Sequence, residues 1–182
     1  MEQIMETEAT QDPSQTPEAL AEAALVPQGP FAWLDRWTEP TVEQLMEGLK
    51  VHQQRNFGRI MDFLNEHADL QWTLLWYGSS WKWTIHYTFK YGSRAKDAGG
   101  DGEKRTMCYL ILNYESPVIS IPLSDELIAR LPLRRLSKFL REGIKNAKCA
   151  VDYHWAAWTP GLENETGMIV DLLNRKYKFM KK

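Results

Sequence analysis

The chain of 182 residues is long enough for one domain with an appendage, and its hydrophobic fraction of 43% is enough for a core. The formal net charge of −2 is unevenly distributed along the chain. Residues 1–47 hold ten acidic side chains and one basic one, whereas residues 48–182 hold 14 acidic and 21 basic side chains. The sequence lacks a membrane-spanning apolar run, a signal peptide, and zinc or redox spacing between Cys108 and Cys149, so it predicts a cytoplasmic protein with no cofactor or metal.

The N-terminal segment differs in composition from the rest. Residues 1–30 are rich in Glu, Gln, Thr, Ala and Pro and have almost no aromatic side chains. Such a segment cannot bury enough apolar surface to offset the loss of chain entropy. We therefore expect a disordered acidic arm over residues 1–30 and a single α+β domain over residues 31–182.

Two helices are expected at the start of the domain. The segment 38–41 supplies a capping hydroxyl with a proline in the first turn, and apolar residues follow at helical spacing to Leu49. A second helical pattern runs from Phe57 to about His67.

The hydrophobic period changes to two from Leu70 to Trp76, and the segment 78–80 predicts a turn. The clearest signal of the chain follows, since aromatic and apolar residues alternate with polar ones. The apolar set, expected to share one face, is Trp81, Trp83, Ile85, Tyr87, Phe89 and Tyr91, and the polar set is Lys82, Thr84, His86, Thr88 and Lys90. This pattern predicts a long half-buried strand with one solvated face.

Three more strands are expected over residues 105–112, 118–123 and 149–158, with a flexible hairpin connection at 92–104. Pro117 and Pro122 favour an edge position for the strand at 118–123. Helices are predicted from Ser124 to Leu131, again after Pro132, and from 168 to about 179. This order predicts a two-layer α+β sandwich in which helices cover one face of a mostly antiparallel sheet of about five strands.

A family resemblance rests on the pattern Trp76-x4-Trp81-x-Trp83-x3-Tyr87, followed by segments 104–106 and 108–110. These motifs resemble a bacterial family, domain of unknown function 3788, over roughly residues 38–180. The resemblance implies an opening helix, a Trp-rich hairpin, a Cys-Tyr-Leu strand, a late strand and a short C-terminal helix. The family is similar to a wider YdhG-like, secretion-chaperone-like group of α+β domains, some of which are associated with iron handling or partner binding. The long Gly- and Asp-rich connection departs from the family pattern, and the resemblance implies no catalytic residues.

The first functional hypothesis is a non-enzymatic binding module. Trp76, Trp81 and Trp83 lie near the predicted hairpin and are candidates to line an aromatic groove for a small ligand. Lys82, His86 and Lys90, with Arg105 nearby, are candidates to bind an anionic group. The alternative for both sets is ordinary structure, namely a core stripe and a solvated sheet face.

A basic surface is the second candidate feature. Residues 130–148 hold seven bases and one acid, and a stripe on the outer face of the predicted helix consists of Arg134, Lys138, Arg141 and Lys145. It fits an acidic partner, self-contact with the acidic arm or a solvated helix face. A further hypothesis is nucleic-acid binding through the basic helix 130–148, which the isoelectric point of about 6.1 disfavours and the net charge of +7 over residues 48–182 favours.

A small enzyme is the remaining alternative. Asp152 and His154 lie two apart on a predicted strand and therefore share a face, where a carboxylate can orient an imidazole. The sequence shows no obvious nucleophile beside them. The four histidines have no metal-ligand spacing, and residues 99–102 lack the ending of a phosphate-binding loop.

Overall fold

A computed structural model describes residues 30–90, 105–150 and 152–181. The predicted acidic arm up to residue 29, Tyr91 and the predicted connection at 92–104 lie outside the described residues. The described parts contain seven α-helices, a 3-10 turn and six strands. The helices are α1 (Pro30–Leu34), α2 (Val42–Glu47), α3 (Val51–Asn65), α4 (Gly78–Trp81), α5 (Asp125–Arg130), α6 (Lys138–Lys145) and α7 (Glu163–Met180), and the 3-10 turn is Leu133–Arg135. The strands are β1 (Leu70–Trp76), β2 (Trp83–Phe89), β3 (Thr106–Ile111), β4 (Val118–Ser124), β5 (Lys148–Ala150) and β6 (Tyr153–Trp158).

The strands form one antiparallel sheet in the order β1-β2-β3-β4-β6-β5. This confirms the predicted α+β fold. The predicted single strand over 149–158 is wrong in one respect, because Asp152 takes a φ of 61° and turns the chain between β5 and β6. Left-handed backbone of this kind is tolerated by Asp in tight turns.

The helices share one buried cluster with one face of the sheet, called here the inner face. Ile85, Leu110 and Ile121 on the strands contact the same cluster as Phe57 of α3 and Leu172 of α7, and all five are at most 1% exposed. The start of α2 follows local rules, since Thr41 accepts from the backbone of Gln44 in a reciprocal capping box. Burial against the sheet then fixes which face of each helix is apolar.

Two tryptophans tie the beginning of the described chain to β2. The indole N–H of Trp33 donates to the carbonyl of Trp83 at 3.1 Å, and the indole N–H of Trp83 donates to the carbonyl of Asp35. Both indoles are buried, so each needs such an acceptor. The short segment around α1 is thereby part of the packed core.

Strand β4 is central, between β3 and β6, so the edge position predicted from Pro117 and Pro122 is wrong. Pro122 has no N–H to offer the neighbouring strand. In β3, Tyr87 pairs with Cys108 and Thr88 with Thr106, which leaves Met107 as an extra, bulged residue. The ammonium of Lys176 in α7 donates to the carbonyls of both Met107 and Pro122. A buried lysine therefore fills the gap that a bulge and a proline open between two central strands.

Candidate functional site

An open groove of about 480 Å³ lies on the outer face of the sheet, opposite the main helical layer. Ile111, Val118 and Ala157 supply apolar surface from three adjacent strands, and the indoles of Trp81 and Trp155 stand beside them. The remaining lining residues are Ser80, Asn113, Ser116, Ser120, Gly143, Asn146 and Lys148. A volume of this size with an apolar floor and a few polar groups is typical of small-molecule sites.

Trp81 reaches the groove because the backbone changes direction directly after it. The segment predicted as a turn forms the single helical turn α4, and Lys82 then takes a φ of 49°, a conformation that side chains rarely adopt. The prediction that Trp81 and Trp83 share one face is therefore wrong. Trp83 is 8% exposed in the inner core, whereas Trp81 contacts aromatic rings of the outer face.

The wall of the groove belongs to a second aromatic layer, called here the outer aromatic cluster and composed of Tyr77, Trp81, His86, Tyr109 and Trp155. Tyr109 is its centre, with ring centroids 4.3 Å from His86, 5.2 Å from Trp81, 5.5 Å from Tyr77 and 5.6 Å from Trp155. Offset and edge-to-face contacts between such rings add stability beyond their buried area. The cluster holds Trp81 and Trp155 at a fixed separation of 6.1 Å between centroids.

Tyr77 and His86 of this cluster have hydrogen-bond partners within the protein. The hydroxyl of Tyr77 lies 3.0 Å from Nδ1 of His86, and Nε2 of His86 lies 3.0 Å from the hydroxyl of Thr106. Burial, and then the neighbouring Tyr109, raise the pKa of Tyr77 to about 12, so the phenol keeps its proton at neutral pH. Tyr77 can therefore donate to His86. Both ring nitrogens of His86 therefore have partners within the protein, and its ring stacks on Tyr109. These contacts favour a structural role for His86 over anion binding.

The expected solvated face of β2 is largely covered. Thr84 and Thr88 are 0% and 2% exposed, and His86 is half-buried. The prediction of a solvated face is wrong for β2, because these threonines are buried and His86 contacts the rings of Tyr77 and Tyr109.

The predicted ligand-binding residues separate in the structure. Trp81 lines the groove, while Trp76 lies on the opposite face with its ring 5.7 Å from that of Trp83. Neither Trp76 nor Trp83 is among the lining residues.

The predicted anion-binding residues also do not converge. The ammonium of Lys82 lies 4.5 Å from the ring centre of Trp33, Lys90 donates to the carbonyl of Ala68, and Arg105 donates to the carbonyl of Met180. Each of these three cations contacts a different part of the protein, so they do not form one anion site.

The predicted basic surface is exposed but is not one continuous helix. Arg134 belongs to the 3-10 turn, and Lys138, Arg141 and Lys145 lie on α6. Lys138 pairs with Glu142 at 3.7 Å, an exposed contact that contributes little to stability. Gly143 of α6 and Asn146, the residue that follows its last turn, also line the groove, so this positive charge borders the groove.

The predicted pairing of Asp152 with His154 is not what the structure shows. Asp152 occupies the left-handed turn between β5 and β6. Nε2 of His154 lies 2.7 Å from Oδ1 of Asp125, the first residue of α5. Sequence distance hid this partner, because it depends on β4 and β6 being neighbours in the sheet.

The sequence did not single out several residues that line the groove, above all Trp155, Asn146 and Lys148. Trp155 lies on the outer face because its neighbours His154 and Ala156 point inward on β6. That parity is visible in the sequence. What the sequence cannot show is that β6 pairs with β4 and so comes next to Trp81.

Comparison with family models, curated proteins and solved structures gave no match. The resemblance to family 3788 therefore stays a prediction. Across the described ranges, no group of three His, Cys, Asp or Glu side chains is placed to hold a metal ion. In the same ranges, no helix has both the length and the apolar character needed to cross a bilayer.

Proposed function

We propose that the protein is a binding module whose groove takes a small planar molecule carrying an anionic group. The observation that supports this is the pair of indoles, Trp81 and Trp155, held beside an apolar floor by the outer aromatic cluster. Aromatic faces favour a flat, polarisable ligand, because ring contacts of this kind are worth about 0.5–1.5 kcal/mol each beyond area burial. A floor already shaped by backbone pairing costs little reorganisation on binding.

Charge favours an anion on such a ligand. Lys148 is the sole charged residue among those that line the groove, and the remaining polar lining groups are serine hydroxyls and asparagine amides. Arg141 and Lys145 lie on α6, whose Gly143 lines the groove, and add positive potential nearby. The amides of Asn113 and Asn146 can both donate and accept, and so can orient a substituted ring.

The proposal is tested with 2-naphthoate, a planar anion, by following the indole N–H signals of the full chain in two-dimensional NMR. We expect the signals of Trp81 and Trp155 to shift, while those of Trp33 and Trp83 stay in place, because both indoles are buried in the inner core and their N–H groups are bound to backbone carbonyls. Replacement Trp155→Leu is expected to weaken binding about fivefold to tenfold, which corresponds to the loss of roughly 1 kcal/mol of ring contact.

Trp72→Leu is the matched control, since Trp72 is 46% exposed on β1, the far edge strand, and does not line the groove. Cyclohexanecarboxylate separates ring stacking from charge, because it keeps the carboxylate and lacks the flat face. Equal affinity of 2-naphthoate for the wild type and Trp155→Leu would exclude the groove as the binding site. So would the absence of any shift at Trp81 and Trp155 at millimolar 2-naphthoate.

A further inference from the structure

A second chemical site lies on the other face of the β5–β6 hairpin, away from the groove. Cys149 of β5 is directly opposite His154 of β6 in the antiparallel register. Directly opposed residues point to the same face, with Cβ atoms about 4.5–5.5 Å apart. Cys149 is an exposed free thiol, and the side chain of His154 is 29% exposed. Reagents in solution can therefore reach both groups.

His154 is oriented by a carboxylate. Strand β4 pairs with β6 and ends at Ser124, whose hydroxyl caps α5, so Asp125 emerges beside His154. The 2.7 Å contact between Nε2 and Oδ1 has the length of a charge-assisted hydrogen bond. Because Asp125 accepts, Nε2 carries the proton of the neutral imidazole, and Nδ1 is left as the basic nitrogen.

We propose that Cys149, His154 and Asp125 form a reactive thiol site that is modified covalently by small neutral α,β-unsaturated carbonyl compounds. His154 takes the thiol proton on Nδ1, and Asp125 is a positioning residue that fixes the tautomer and stabilises the imidazolium. A nucleophile, a base and a carboxylate that orients the base are the three parts that activated thiols require. The sequence suggested only the base, paired it with Asp152, and gave no nucleophile.

The addition step balances without a further reactant. The sulfur electron pair forms a bond to the β-carbon, and the carbon–carbon π pair moves onto the α-carbon and carbonyl oxygen as an enolate. The imidazolium of His154 then returns the proton, directly or through water, to the α-carbon. The product is a thioether on Cys149, with no leaving group and no change of redox state.

Reactivity is measured with N-ethylmaleimide on the full native chain, by intact mass, with peptide mapping to locate the adduct. Cys108 is 0% exposed and serves as the internal reference, so the native protein is expected to take up one maleimide and Cys149→Ser none. His154→Gln is expected to lower the second-order rate constant at pH 7 about tenfold, since a positioned base contributes at least this much to proton transfer. His52→Gln, at an exposed position on α3, is the matched control and should keep the wild-type rate.

Asp125→Asn provides an independent variant that leaves the core intact, because the side chain of Asp125 is 84% exposed. We expect a rate about threefold lower and a change in the ¹⁵N shifts of the His154 ring, which report the nitrogen that carries the proton. Thermal unfolding of each variant verifies that it is folded. The proposal is overturned if His154→Gln reacts as fast as His52→Gln, or if Asp125→Asn, folded, changes neither the rate nor the His154 ring shifts.

Discussion

Replacing Gly143 by alanine is expected to lower the free energy of unfolding by about 3 kcal/mol, although alanine is the better helix former. A Cβ on Gly143 would lie 2.0 Å from Nε1 and 2.2 Å from Cε2 of Trp158. The indole cannot easily move away, because it is 4% exposed and its N–H donates to the carbonyl of Phe139 at 3.1 Å. Relief therefore requires α6 to shift away from β6, with loss of packing on both.

Gly167→Ala is the matched control for this prediction. Gly167 also lies inside a helix, α7, but a Cβ there would meet nothing within 4 Å. Without a clash, the higher helix propensity of alanine is the only remaining effect. We therefore expect the free energy of unfolding to rise by about 0.5–1 kcal/mol. Urea denaturation of the three proteins measures both changes. A Gly143→Ala protein as stable as the wild type would show that Trp158 does not pack against α6 as described.

Replacing Lys176 by methionine is expected to lower stability by about 2–4 kcal/mol at pH 8.5, because the carbonyls of Met107 and Pro122 lose their shared donor in a buried site. Lys176 is 3% exposed, and burial lowers its pKa to about 7. The neutral amine formed above that pH keeps two N–H groups, which match the two carbonyls. Methionine has a similar length but no donor.

The same variant removes a pH dependence whose sign is fixed by the pKa shift. The folded state loses the Lys176 proton near pH 7, whereas the unfolded chain holds it up to the ordinary lysine value of 10.5. Between these values the unfolded state binds more protons, so wild-type stability rises with pH, by about 1–2 kcal/mol from pH 7 to pH 8.5. Between pH 9 and the ordinary lysine value this rise is progressively offset, because burial raises the pKa of Cys108 to about 12 and unfolding then releases a thiol proton.

Denaturation curves at pH 7 and pH 8.5 test this account, and Lys178→Met, an exposed position two residues further along α7, is the control. The control should follow the wild type within about 0.5 kcal/mol at both values. A stability difference between the wild type and Lys176→Met that is the same at both pH values would mean that Lys176 carries the same charge in the folded and unfolded states.

Local patterns predicted the elements well, and the errors arose where a distant residue compensates for a local defect. The period-two stripe placed Trp83, Ile85 and Tyr87 in the core, and the capping segment placed α2 within a few residues. Pro122 favoured an edge strand because no residue close to it in the sequence can replace its missing N–H. The replacement is Lys176, 54 residues later.

The candidate sites were harder to predict than the fold, for the same physical reason. Each site is assembled by strand neighbours, and strand order is not encoded in the period of any one strand. Trp81 needed a positive φ at Lys82 to leave the inner face, and Trp155 and Asp125 needed the pairing of β4 with β6. Of the three tryptophans predicted to line a groove, only Trp81 is among its lining residues. The partner of His154 is Asp125 and not the predicted Asp152.

The exchange of hydrogen bonds between the first described residues and β2 bears on where this chain can be cut. The indole of Trp33 donates to the carbonyl of Trp83, and the carbonyl of Asp35 accepts from the indole of Trp83. The predicted resemblance to family 3788 begins at about residue 38. A truncated protein that started there would retain every strand and the long helices, yet it would leave an indole in the interior with an unsatisfied N–H. We therefore expect a protein that starts at residue 38 to be less stable than one that also contains Trp33 and Asp35.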